Sequence, residues 1–194
     1  PEYAETSLPT EAAAAVSGGS VSDTLTVYPN PDPIEPADIK RAYLTFTVPE
    51  TSELYEAWLT LTATAAAGQT VTVYAMTDLE LPNPLTYGNA PLPSGSALTT
   101  FRAKLGENRI DLTEWIRANA GHKVTFLLTI EEAGSDVVFD NTTSLPTLTL
   151  GTATADNFDP SSFRVKSNVT LYSDFGYNVY VPAIEAVKEI TLDG

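Results

Sequence analysis

Arg41-Ala42-Tyr43-Leu44-Thr45-Phe46-Thr47-Val48 is the stretch that decides the fold. Ala42, Leu44, Phe46 and Val48 fall on one side of an extended chain, and Tyr43, Thr45 and Thr47 on the other. That period of two is expected of a strand with one face buried. The same reading extends outward. Ala57, Leu59, Leu61 and Ala63 oppose Trp58, Thr60, Thr62 and Thr64, and Val71, Val73 and Ala75 oppose Thr72, Tyr74 and Met76. Ala66-Ala67-Gly68-Gln69 is the turn between the last two. Leu25 to Tyr28, Val124 to Ile130, Val137 to Phe139 and Thr147 to Leu150 read as further strands, with Glu131 to Asp136 as a hairpin-like connection. The chain is therefore expected to be an all-β sandwich.

One helix interrupts the strands. Asp111-Leu112-Thr113-Glu114 has the spacing of a capping box, and Gly121 is a C-terminal stop, so a short helix lies between them with Trp115 packed inward. Residues 1 to 22 read as a loose entry strand and loop, and Pro29 to Asp38 as a loop. Leu81 to Ser96, with four prolines among its residues, is a long loop that is either functional or packed over an open part of a sheet.

The chain has 194 residues, 43% of them hydrophobic, which suffices for a full core. Its net charge of −15 repels phosphate backbones and anionic membranes, so neither nucleic acid nor membrane insertion is expected. No apolar run approaches the length of a transmembrane helix. There is no cysteine, which fits a bacterial or archaeal extracellular or cell-surface module. The chain starts at Pro1 without a charged-then-apolar leader and reads as a processed protein or an excised fragment. The domains are expected as 1–151, the sandwich; 152–162, a polar linker; and 163–194, the start of a second β module or a packed extension, with a hairpin around Asp174-Phe175-Gly176.

The order of phrases resembles the DNRLRE-type jelly-roll carbohydrate-binding modules of bacterial surface and polysaccharide-degrading proteins. The residues carrying the resemblance are Arg41 to Phe46, Leu85-Thr86-Tyr87-Gly88-Asn89-Ala90-Pro91, Asp111-Leu112-Thr113 and Ile116-Arg117-Ala118, within roughly residues 20 to 150. The sequence departs from the family's pattern at Tyr87, where the family usually has Trp, at Leu79-Glu80 and at Asp140-Asn141-Thr142. The resemblance implies a jelly-roll β-sandwich that binds polysaccharide as one part of a larger secreted or surface protein.

No catalytic constellation stands out. The one histidine, His122, follows the helix stop and suits a surface position near the helix C-terminus. Without cysteine and with a single histidine, ordinary transition-metal sites are excluded. Structural calcium is a candidate cofactor, with Asp136 and Asp140 flanking one strand as its candidate ligands. The candidate sugar-binding residues are Tyr43, Trp58 and Tyr74. They point away from the core on three successive strands, and as neighbours in one sheet they would form an aromatic row able to stack on sugar rings. Arg102 and Arg109, with Lys104, form the densest basic cluster and could grip an acidic sugar. The competing reading is a structural spacer or adhesin module without a sugar site, and joint exposure of Tyr43, Trp58 and Tyr74 separates the two.

Overall fold

The computed structural model describes residues 2–17, 20–22, 25–27, 40–51, 53–86, 88–131, 135–154, 169–172 and 178–181. Among these, the strands are β1 (Glu2–Pro9), β2 (Ala12–Ser17), β3 (Ser20–Ser22), β4 (Leu25–Val27), β5 (Lys40–Thr47), β6 (Leu54–Ala65), β7 (Thr70–Thr77), β8 (Thr99–Arg102), β9 (Gly106–Asp111), β10 (Lys123–Thr129), β11 (Val137–Phe139), β12 (Thr147–Thr154), β13 (Val169–Tyr172) and β14 (Asn178–Val181). The single helix, α1, is Thr113–Ala118. The fold is all-β with one short helix, and two antiparallel sheets pack as a β-sandwich, as the alternation predicts.

Sheet I has the order β1-β12-β6-β11-β4, with β9 also paired to β6. Strand β6 is its spine. β12 and β9 both pair across residues 58–60 of β6, so they must occupy opposite edges of it. Sheet II has the order β3-β2-β5-β10-β7-β8. Strand β10 lies at its centre, with Phe126 opposite Leu44 on one side and Ala75 on the other.

The core fills the space between the sheets with the residues that the alternation assigns inward. Leu44 and Phe46 of β5, Leu59 and Leu61 of β6, Val71 and Val73 of β7, Val124, Phe126 and Leu128 of β10, and Leu148 of β12 are all fully buried. Phe46 and Phe126 stand 6.0 Å apart with tilted rings, and Trp115 of α1 meets Phe126 edge-on at 5.7 Å. Such tilted and edge-on contacts suit the ring quadrupoles better than a face-to-face sandwich. Trp115 is thus packed on the core from the helix, as expected, while one part of it stays accessible.

The helix start differs from the expected capping box. The N-cap position is Leu112, with no side-chain cap bond, and Asp111 precedes it: its Oδ1 accepts hydrogen bonds from the Thr113 backbone N–H (2.9 Å) and from Thr113 Oγ1 (2.6 Å). Glu114 does not close the box: it pairs with Arg117 at 2.7 Å instead. Gly121 lies beyond the helix with φ of +84°, the left-handed conformation that ends helices at low cost for glycine.

Contacts divide the chain into two compact units, residues 5–152 and residues 1–4 with 153–194. The first contains the sandwich core. In the second, β13 and β14 pair antiparallel, Val169 opposite Val181. Strand β12 continues to Thr154, past residue 152 where the linker is expected to begin. The expected loop at Pro29 to Asp38, the hairpin turn at 174–176 and Tyr87 lie outside the described residues.

Candidate functional site

The two outer faces of the sandwich differ. On sheet II, Tyr43 does point away from the core, but it is fully buried. It joins Leu85 and Leu127 in a second apolar cluster, against which Ala14, Tyr74, Met76, Leu81 and Ala90 pack. The cover is the long loop after β7. The Tyr43 hydroxyl donates to the Pro91 carbonyl at 2.8 Å, and burial pushes its pKa up. Asn89 staples the loop: its Oδ1 accepts from the Thr86 N–H (2.6 Å) and its Nδ2 donates to the Pro84 carbonyl (3.0 Å). The described residues of the phrase Leu85 to Pro91 therefore form a lid on sheet II. Tyr74, at the margin of this cluster, donates its hydroxyl to Glu131, and that bond is the main cause of its raised pKa.

The expected row of three aromatics does not exist. Tyr43 and Tyr74 are in sheet II, on β5 and β7, but Trp58 is on β6 in sheet I. Strands β5, β6 and β7 alternate between the sheets, so the outward phase of Trp58 places it on the opposite face of the sandwich. Joint exposure of the three is ruled out by this topology and by the burial of Tyr43.

On sheet I the outward residues remain accessible. Thr149 of β12, Trp58 of β6 and Asp111 of β9 form one cross-strand row, and Thr147, Thr60 and Arg109 form the next. The Arg109 guanidinium lies over the Trp58 ring, 4.9 Å from its centroid. A cation over an indole face is attracted by the ring quadrupole. Trp58 Nε1 donates to Glu56 Oε2 at 3.2 Å.

Beside Trp58 opens a cleft of about 560 Å³, lined by Tyr55, Glu56, Trp58, Thr99, Asp111 and Trp115 among others. Its shape depends on an irregularity in β6. Glu56 pairs with Gly151 but Leu54 pairs with Thr152, so Tyr55 is an extra residue, and Tyr55 and Glu56 both oppose Gly151. A Cβ on Gly151 would sit 2.6 Å from Glu56 Cγ and 2.7 Å from Tyr55 Cζ, so only glycine lets both side chains lie there. Arg117 locks the bulge from the helix. Its Nε donates to the Leu54 carbonyl at 3.0 Å and its guanidinium pairs with Glu114. Thr113 Oγ1 accepts the Ala57 N–H at 2.9 Å, fastening the helix start to the same strand.

A second cleft, about 230 Å³, is lined by Phe101, Arg102, Lys104, Glu107, Asn108 and Arg109. The basic cluster expected from sequence is thus assembled in space. Buried Asn108 fixes the turn from β8 to β9, accepting from the Lys104 N–H (3.0 Å) and donating to the Lys104 and Gly106 carbonyls (2.8 and 2.9 Å). Arg102 Nε donates to the Gly68 carbonyl at 3.1 Å, which ties it to the β6–β7 turn.

The two candidate calcium ligands serve other partners. Asp140 Oδ1 accepts from the N–H groups of Thr142 and Thr143 and from Thr142 Oγ1, and Oδ2 accepts from the Ser144 N–H. These bonds, those of Thr143 and Thr142 first, hold its pKa down to about 2. Asp136 pairs with Lys40 at 3.0 Å. Among the described residues no group of three or more His, Asp or Glu is placed to hold a metal ion. His122 is exposed and bonds Asp78 Oδ2 at 2.7 Å.

Sequence reasoning finds Trp58, Arg102 and Arg109 but misses Tyr55, Glu56 and the accessible part of Trp115 as a site. One signal was present: Leu54 and Ala57, both buried, are three residues apart, which breaks the period of two at Tyr55.

No helix among the described residues is long and apolar enough to cross a membrane. A search of curated proteins returned no match to the chain. Among protein families, residues 12–150 match carbohydrate-binding module family 96. That match takes in every strand from β2 to β11 and nearly all of the face that carries Trp58, Arg109 and the two clefts. The chain belongs to carbohydrate-binding module family 96.

Proposed function

We propose that this domain is a non-catalytic polysaccharide-binding module of a larger secreted or cell-surface protein, and that it binds through the outer face of sheet I around Trp58. The observation that carries this reading is the Arg109–Trp58 stack at the junction of two clefts, on the sheet face that the lid leaves uncovered. The Trp58 indole, with Arg109 stacked on its ring, and Thr60, Thr147 and Thr149 in the same and adjoining rows offer the apolar surface and the hydrogen-bonding groups that sugar rings use. Affinity comes from stacking and hydrogen bonding, with no bond made or broken in the glycan. Neighbouring domains of the parent chain would supply any chemistry.

The test is a titration of intrinsic fluorescence and a pull-down against xylan, mannan, cellulose and polyuronates, with and without calcium. Saturable binding that Trp58→Ala removes while the melting temperature holds supports the module reading. A folded domain that binds none of these glycans supports the spacer or adhesin reading instead. A calcium dependence of binding or of melting would bring structural calcium back as a cofactor.

A further inference from the structure

We infer that the site takes the interior of an extended polysaccharide chain, laid along the seam between β8 and β9, and not a chain end; this rests on the sugar-binding reading above. Strand β8 is an edge of sheet II and β9 is bound in sheet I through β6 alone, so the two flank the same open side of the sandwich. The clefts follow each other along these strands. Thr99 of β8 and Asp111 of β9 line the larger cleft; Phe101 and Arg102 of β8 and Glu107 to Arg109 of β9 line the smaller. The point of passage between them is defined, because Trp58 lines the first, Arg109 lines the second, and the two stack at 4.9 Å. A ligand occupying both must cross that stack.

The lengths agree with a polymer. Six residues of β9 at about 3.4 Å each give a track of roughly 20 Å, several sugar rings long, and the larger cleft extends it past Asp111 to Tyr55 and Trp115. Neither cleft is a closed end-pocket that would cap a terminal sugar: both are open to the surface. The two compartments also differ in charge. Glu56, Asp111 and Glu114 with Arg117 line one, and Arg102, Lys104 and Arg109 with Glu107 the other, so one is net acidic, the other net basic, and the track has a polarity that a chain reads along its length.

Calorimetry with xylan, mannan and polyuronate ladders, from dimer to octamer, tests this. Because occupying the second cleft is an intramolecular event once the first is filled, the longest oligomer of the recognised series is expected to bind at least about tenfold tighter than the dimer. Reduction of the oligomer's end sugar should leave affinity unchanged. Lys104→Ala and Tyr55→Ala, at opposite ends of the track, should each weaken the long oligomer severalfold and should flatten the length dependence. Equal affinity for dimer and octamer, or loss of binding on end reduction, overturns the inference while leaving sugar binding intact. No binding by polymer and oligomer alike overturns both.

Discussion

The outer faces of the two sheets begin from the same pattern and end as opposites. Each places aromatics and threonines outward at every second residue. On sheet II these residues are sealed: Tyr43 is buried under the loop that Asn89 staples, and Thr45 and Thr125 share a buried hydroxyl contact at 3.0 Å. On sheet I the corresponding residues, Trp58 and Thr60 among them, stay partly open to solvent. What separates the two faces is the chain laid over them, since the strands themselves obey one rule. An outward aromatic is a core residue of a smaller second core in one case and a binding surface in the other.

The largest expected effect breaks the covered face. Tyr43→Ala should cost about 3–5 kcal/mol of stability, as for other buried aromatics cut to alanine. Denaturant unfolding should show the loss, while the glycan affinity of the molecules that remain folded is unchanged. Loss of binding with intact stability would reverse the assignment of the two faces. On the open face, Trp58→Ala should give the complementary result: about 2 kcal/mol of binding lost, the scale of an interface hot spot, with little change in the unfolding midpoint.

Gly151→Ala is comparable in size to Trp58→Ala but acts on both stability and binding. Its new Cβ crowds Glu56 and Tyr55, so overpacking should cost about 1–3 kcal/mol of stability. Unlike Tyr43→Ala it should also weaken glycan binding, because the side chains it displaces line the cleft. Asn89→Ala should loosen the lid by about 1 kcal/mol for each hydrogen bond that is not replaced by water, visible as faster amide exchange near Leu127 and no change in calorimetric affinity.

The smallest effect belongs to neither face. Asp140 has a folded pKa of about 2, below its ordinary value of 3.8, because backbone N–H groups favour the ionised form. Its contribution is therefore present above pH 3.8 and is lost as the pH falls through about 2. In thermal melts, Asp140→Asn should narrow the stability difference between pH 5 and pH 2 and leave glycan binding as it was. An unaltered acid profile would show that the turn after β11 gains nothing from the charge.

The strand phases were legible because burial on one face writes a period of two into the sequence. Leu44, Phe46, Leu59, Leu61, Val71 and Val73 all face the core that this period assigns them. The period says which residues leave the core but not what covers them, so Tyr43 and Trp58 look alike until the loop after β7 is placed. Nor does chain order say which sheet a strand joins, so Trp58 looked like a neighbour of Tyr43. The basic cluster was legible because one short stretch, the turn from β8 to β9 with its flanks, holds all of it. The cleft beside Trp58 was not, because it joins residues 55–58 of β6 to the later segment of β8, β9 and α1, and its form depends on the bulge at Tyr55.

That bulge also binds the fates of three positions together. Gly151 has no special backbone conformation to defend; what it defends is the room taken by two side chains on another strand. Substitutions at 151 should therefore be tolerated only in company, with Tyr55 or Glu56 trimmed at the same time, and Gly151→Ala should cost less in a Tyr55→Ala background than alone. Anyone transplanting this binding face onto another sandwich would have to carry the glycine with it, although it would touch no ligand itself.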